Sequence, residues 1–447
     1  MSDGDGNGLS GKIGLRSAAA LVVANIIGAG IFTTTGFQAE ALGDPMLIFA
    51  LWVLGGILAW CGALCYAELG AAMPEAGAEY VYLRETYGPA FGFMSAFVSC
   101  VAGFPAPIAA ALKGMTAYLG AFVPVLASDS GVIGGVTTGD LLAVLVVWGL
   151  TAVHLRGLRG GMRFNDFVTL AKVLGIVAIL IGAAAFGSGN VANFTTQSST
   201  TEATLPAFAT SLIFVMFCFS GWNAAAYMAS EIEAPQRNLP RALLLGTSIV
   251  LVLYLGLNAV YLYGANVDEL AGKVEVGLVA SRHLFGPAGT GFVTVVLTLS
   301  LLASASAMTA AGPRVTFALG RDVPMLRGLS KTNTVTGAPT AALLTQGVVT
   351  TLLVLSGTVD QIQQYAGFTL ALFSSLAVSC VIVLRIRHPE LARPFRAWGY
   401  PLTPLFYIGV SGWTMLWAFQ GRPMESLLAL LTVVVGGVAF LFVRGRS

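Results

Sequence analysis

The sequence predicts an all-α integral membrane fold: twelve spanning helices, arranged as two inverted five-helix repeats plus two additional helices. Three observations carry that prediction. Of 447 residues, 56% are apolar and only 10% charged, whereas a soluble domain carries about 25% charged residues. Apolar runs of about twenty residues, the length a spanning helix needs, recur along the whole chain. Two of those runs are interrupted mid-way by a Gly-containing stretch, Asn25-Ile26-Ile27-Gly28-Ala29-Gly30-Ile31-Phe32 and Phe217-Cys218-Phe219-Ser220-Gly221-Trp222-Asn223.

Charged and Gly/Pro-rich punctuation sets the spans near 15–40, 46–72, 89–122, 139–155, 164–187, 206–231, 240–264, 287–318, 339–357, 362–385, 401–420 and 425–443. Connections are short except for 187–205 and 265–286. Within the second, 274–284 is patterned as an amphipathic helix and is expected over one mouth of the protein. With the N-terminus inside, cytoplasmic segments carry eighteen lysines and arginines, and outer segments carry three, Lys273, Arg282 and Arg422. That asymmetry predicts both termini in the cytoplasm, an even span count and a multi-pass protein of the inner (plasma) membrane. The first span of each group of five carries the break, which is the basis for the inverted repeat. The chain then divides into a disordered tail (1–14), a transport core (15–385, repeats 15–187 and 206–385), two additional helices (401–443) and a short tail (444–447).

Composition excludes other classes. The net charge of +2 comes from loop residues and forms no nucleic-acid-binding patch. Cys61, Cys65, Cys100, Cys218 and Cys380 all lie in apolar runs, so neither a disulfide framework nor a zinc spacing is present. His154, His283 and His388 are scattered without neighbouring ligands, and no Ser-His-Asp, paired-carboxylate or phosphate-loop constellation appears. No metal, no cofactor and no enzymatic activity are expected. Gly134-Gly135 and Gly160-Gly161 read as turn glycines.

Broken backbone at bilayer depth leaves amide and carbonyl groups that hydrocarbon cannot satisfy. Two such breaks in corresponding segments of two repeats point to a substrate site. Gly28 and Gly30 remove side chains where the chain must turn and a ligand must approach. The half-helix starting near Gly30 points free N–H groups and a positive dipole end into the site, where a carboxylate fits. Carbonyls around Ile26, Phe217 and Ser220 face the same cavity and can accept from an ammonium. Together they match the zwitterionic head of an α-amino acid. The candidate binding set is Ile26, Ile27, Gly28, Ala29, Gly30, Phe217, Cys218, Phe219, Ser220, Gly221 and Asn223. The competing reading is that these glycines only permit close helix packing.

Further motifs join the breaks: Tyr66-Ala67-Glu68-Leu69, then Pro74, Gly77 and Glu79-Tyr80 through Gly88, and Ser230-Glu231-Ile232-Glu233-Ala234-Pro235 followed by Arg237-Asn238-Leu239-Pro240-Arg241. With these the chain resembles the amino acid–polyamine–organocation superfamily over nearly its whole length. The sixth-span break and the loop after it are similar to the signature of L-type amino acid transporter light chains and their bacterial relatives. The resemblance implies the inverted-repeat fold first described for a bacterial leucine transporter. It implies a substrate carboxylate at the amides of Ala29 and Gly30, an ammonium at the carbonyls of Ile26, Phe217 and Ser220, and the Phe217 ring as an outer gate. Relatives often have tyrosine where this chain has Phe219.

Lys172 lies about 13 Å along the fifth span from its cytoplasmic start, and a lysine at that depth needs a partner or a water path. By resemblance it matches a lysine that stands where sodium-driven cousins bind sodium, bridging the first broken helix and span eight, with Ser304 as the acceptor. A tethered cation in that place implies a sodium-independent carrier. The alternatives are snorkelling toward the inner headgroups and, because burial disfavours a charged amine, proton coupling through Lys172. Lys113 reads as an outer-interface snorkeller, or else a vestibule charge. Glu68 and Arg84 read as inner-gate or solvated-loop residues.

No acidic residue falls mid-way along spans 1, 3, 6, 8 or 10, so neutral amino acids are favoured over cationic ones. Animal light chains join a glycoprotein partner through a cysteine after span three. This chain has none between Phe122 and Asp140, so no disulfide-linked heavy chain is expected. The partners that remain are the lipid bilayer and a neutral amino acid. The leading expectation is a sodium-independent antiporter working by alternating access. The competing ones are a proton-coupled symporter using Lys172 and a non-transporting amino acid sensor.

Overall fold

The computed structural model describes residues 13–75, 77–126, 135–156, 158–333 and 336–444, the side chains of 158–168 excepted. The tails expected at 1–14 and 444–447 lie almost entirely outside those residues, and Gly134 lies outside them. Among the described residues every regular element is helical, and an isolated β-bridge joins Ile13 to Ile232.

The first span is two helices, α1 (Leu15–Ile26) and α2 (Ala29–Leu42). Gly43, left-handed at φ 58°, ends α2, a conformation glycine adopts without Cβ strain. Next comes α3 (Pro45–Ala72), started by Asp44, whose carboxylate accepts from the amides of Met46 and Leu47 with Pro45 at the first helical position. A short α4 (Glu79–Tyr87) precedes α5 (Pro89–Val98). A π-turn at Ser99–Gly103 joins α5 to α6 (Pro105–Gly120). A Thr137–Asp140 capping box starts α7 (Thr138–Leu155), and α8 (Leu158–Phe186) follows. Gly160-Gly161 therefore lies in a helix, where a turn was expected.

The sixth expected span is again divided, into α9 (Leu205–Phe219) and a 3-10 segment (Ala224–Glu231). Then come α10 (Pro235–Gly264), α11 (Val267–Leu270) and α12 (Val276–Asp322). The amphipathic stretch is the first part of α12, set off from the span by Gly286 at φ 64°. The turn before it packs on α2 and its own first turn on the end of α6: Gly272 N donates to Gly36 O (3.0 Å) and Gly277 N to the Tyr118 hydroxyl (3.0 Å). The chain closes with α13 (Thr340–Ser356), α14 (Val359–Arg387), α15 (Leu402–Gly421) and α16 (Pro423–Arg444). Among the described residues, eleven helical segments are long and apolar enough to cross a membrane, and Thr340–Ser356 is a shorter apolar helix.

One face of the bundle is tied by charge. Glu68 is 2% exposed and takes a two-pronged grip from Arg385 (2.8 and 2.6 Å), with the Ala397 amide at 2.6 Å and Arg393 at 3.6 Å. It is buried in a network rather than solvated. Arg84 and the Tyr80 hydroxyl both reach Asp322 at the end of α12 (3.5 and 2.8 Å), which fixes α4 across that face. Lys113 corrects the snorkelling expectation. Its ammonium pairs with Asp140 and donates to Val354 O (3.0 Å), joining α6, α7 and α13. Asp140 lies beyond a loop from Lys113, and satisfying both charges inside the bundle outweighs reaching the interface.

Candidate functional site

The two breaks cross at the centre of the bundle. The first turns at Ile27 (φ −68°, ψ 88°) and Gly28 (φ −119°, ψ −159°). The start of α2 has no side-chain cap and no acidic residue in its first turn, so its leading amides have no side-chain acceptor of their own. The second turns at Ser220 (φ −56°, ψ 145°) and at Gly221, left-handed at φ 98°.

Glycine serves different ends at each place. A Cβ on Gly30 would lie 2.3 Å from Cys218 Sγ and 2.9 Å from Cys218 Cα. Gly30 is therefore a contact between the broken helices, with no space left for a ligand on that side of its Cα. A Cβ on Gly221 would lie 2.9 Å from Asn25 O. Only Gly28 is free of such crowding, its nearest neighbour being Ile26 O at 3.7 Å.

Lys172, 2% exposed, reaches from α8 to the end of α1. Its ammonium donates to Ala24 O (2.9 Å), Ile27 O (2.7 Å) and Ser304 Oγ (3.2 Å), which uses all three of its protons. Ser304 Oγ itself donates to Ile27 O (2.6 Å). No carboxylate takes part, and the charge sits at the negative end of the α1 dipole.

Tyr254 on α10 went unnoticed in the sequence. Its hydroxyl sits between Ile26 O (2.7 Å) and Cys218 O (3.0 Å), pinning the two breaks together. Ser220 Oγ donates to Phe217 O (2.6 Å). Thus the carbonyl of Ile26 accepts one bond and retains a second lone pair, whereas that of Phe217 accepts two, from the Ser220 amide (2.9 Å) and the Ser220 hydroxyl, and has both lone pairs engaged. Cys218 Sγ lies 3.2 Å from Thr34 Oγ1, which donates to Gln363 Oε1 (3.1 Å), and Gln363 Nε2 donates to Thr33 Oγ1 (2.7 Å). This relay joins α9, α2 and α14.

The aromatic pair separates. Phe217 packs near Gly367 of α14. Phe219 is turned away toward α3 and α10, with its ring 5.0 Å from Tyr254 and 6.2 Å from Trp52, so it builds core rather than a pocket wall. Asn223 donates from Nδ2 to Glu79 Oε1 (3.0 Å). Glu79 belongs to a motif singled out in the sequence, but nothing there assigned it a partner. On the face opposite α4, a cavity of about 420 Å³ opens among Phe37, Glu40, Val274, Val359, Asp360 and Arg422. At its side Phe37 meets Phe214, ring centres 5.7 Å apart.

A family model described as amino acid permease matches residues 13–440. Similar proteins include the b(0,+)-type amino acid transporter 1 of Mus musculus, 28% identical over 439 residues, covering 97% of this chain and 88% of that protein. The Homo sapiens protein of the same name is 28% identical over 442 residues, with the same coverage. The large neutral amino acids transporter small subunit 2 of Oryctolagus cuniculus is 26% identical over 441 residues, covering 97% of this chain and 81% of that protein.

Proposed function

The chain belongs to the amino acid permease family, and we propose that it is a sodium-independent antiporter exchanging neutral L-amino acids by alternating access. The observation that carries this reading is the tethered cation. Lys172 places an ammonium on Ala24 O, Ile27 O and Ser304 Oγ, a cluster of oxygens that would suit a small cation. With that place filled by a side chain, the first broken helix needs no dissolved ion to hold its end.

The binding head-group in this reading is main chain. The uncapped start of α2, at Gly28, Ala29 and Gly30, receives the carboxylate. The carbonyls of Ile26, Phe217 and Ser220 receive the ammonium, Phe217 O by giving up its bond from the Ser220 hydroxyl, and Ile27, Cys218, Gly221 and Asn223 shape the two turns. Phe217 gates from the cavity side. Neutral side chains are favoured because Glu79, the carboxyl bonded to Asn223 of the second break, is already engaged by that amide and two tyrosines.

The architecture proposed with it has twelve spans, Thr340–Ser356 being the shortest. Residues 15–385 form the core of two inverted repeats, and 401–443 add two peripheral helices. In support, α16 exposes Leu427, Leu431, Val434 and Phe442 as a lipid-facing helix would. Both termini are placed in the cytoplasm by the lysine and arginine distribution, which makes the α4 face the inner one. No disulfide-linked partner is invoked, since all five cysteines are free and buried or half-buried.

Counterflow in proteoliposomes tests the function. Labelled neutral amino acid should enter only vesicles preloaded with unlabelled amino acid, and sodium should make no difference. Entry driven by a pH gradient into empty vesicles would favour symport instead.

A further inference from the structure

We propose that the Glu79 carboxyl is a proton-binding latch on the second broken helix. It is neutral while it holds Asn223 and Tyr227 and ionised when α4 parts from them, the proton leaving to and returning from the α4 face. The opening step rests on the transport reading above; the protonation in the closed state does not.

The geometry is that of a carboxyl with many donors and no cation. Glu79 is 3% exposed, at the first turn of α4, outside the spanning segments. Tyr66 of α3 and Asn223 donate to Oε1, and Tyr227 of the 3-10 segment donates to Oε2 (3.3 Å). Ser374 of α14 also bonds the carboxyl. The other titratable groups facing it are Tyr82 of its own helix and Tyr407 of α15, both phenols. Among the described residues no lysine, arginine or histidine is paired with it. An uncompensated buried carboxylate is costly, and such a group commonly takes up a proton instead. Burial indeed pushes the Glu79 carboxyl above the usual carboxylate range, against the pull of its hydrogen bonds from Tyr66, Tyr227, Asn223 and Ser374.

The same spot is a mechanical joint. Ala78, just before Glu79, holds φ 43°, a strained conformation for a residue other than glycine. Gly77 N donates to Tyr227 O (3.3 Å). So the start of α4 grips the second break through one backbone bond and one carboxyl. Admitting water from the α4 face would remove the burial that keeps the proton on, and the released carboxylate would then prefer water to the closed contact. Reclosing takes up the proton again from the same side. No proton crosses the membrane, so this is a pH sensitivity of exchange without proton coupling.

The experiment is an infrared difference spectrum of the purified full-length protein in lipid nanodiscs at neutral pH, wild type minus Glu79→Gln. The expected result is loss of a protonated-carboxyl C=O band; loss of carboxylate bands instead would overturn the proposal. If the Gln variant does not fold, Tyr66→Phe, which removes one donor, should shift the same band, and an unmoved band would overturn it. Counterflow then reads the latch. Raising pH on the α4 face should slow wild-type exchange by up to about tenfold per unit, the limit for one proton, and Glu79→Gln should lose that dependence. A Gln variant whose exchange tracks pH as the wild type does would refute the latch. The carboxyl band present in a protein with no exchange activity would contradict the transport reading while upholding the protonated Glu79.

Discussion

The two breaks are held in opposite ways. At the first, a cation on the scaffold helices α8 and α12 grips carbonyl oxygens: Lys172, with Ser304, closes the end of α1. At the second, a carboxyl on a short helix at one face grips donors: Glu79 takes Asn223 and Tyr227. Each end of unwound chain is matched to the polarity it presents, acceptors to an ammonium and donors to a carboxyl. The difference lies in what surrounds the clamp. Lys172 has every proton used deep in the bundle and is suited to stay, whereas Glu79, though buried, follows the strained Ala78 joint at the start of the short α4 and is suited to let go.

The largest effect should come from breaking the fixed clamp. Lys172→Ala strands the carbonyls of Ala24 and Ile27, and a charge-assisted bond is worth about 1.5–3 kcal/mol. Losing one at the upper value lowers exchange on the order of a hundredfold, measured as initial counterflow rate. Next is the contact between the breaks. Gly30→Val drives a side chain into Cys218, and overpacking of this kind costs about 1–3 kcal/mol, read as a lower melting temperature. Gly28→Ala has room and should melt as the wild type does, yet bind substrate weakly if the ligand approaches there; unchanged affinity would remove Gly28 from the site.

Tyr254→Phe should cost about 1–3 kcal/mol by orphaning the carbonyls of Ile26 and Cys218, loosening both breaks at once and slowing exchange. Lys113→Ala is the control. It breaks a pair with Asp140 remote from the turns, so stability should fall while the KM for the exchanged amino acid stays put. The smallest effect is on stability against pH. Glu79 has a raised folded value, so its contribution is whole below the ordinary glutamate range. It is lost as pH rises through the raised value. The wild type should therefore melt at a lower temperature as pH climbs, and Glu79→Gln should lack that part of the slope.

Most of the helical plan was legible in the sequence because hydrocarbon imposes a length and a composition on each span. The breaks were legible too, since Gly28, Gly30 and Gly221 interrupt otherwise unbroken apolar runs. What stayed hidden were the partners. Tyr254, Gln363 and Asp140 are polar residues of largely apolar helices, and no periodicity says which neighbour they face. Lys113 looked like an interface residue because its acid lies in the next helix, beyond a loop. Gly30 shows a subtler limit: the sequence places a glycine at the break, but the space beside it is filled by Cys218 rather than open to a ligand. Phe219 likewise points into the core: two residues on from Phe217 within α9, it falls on a different side of the helix.

The most direct test is an experimental density map of the protein with a neutral amino acid bound. The account predicts the ligand's carboxylate at the amides that open α2 and its ammonium at the carbonyl ends of α1 and α9, with Lys172 still bonded to Ala24 and Ile27. A ligand held by Lys172 itself, or seated away from both turns, would contradict it.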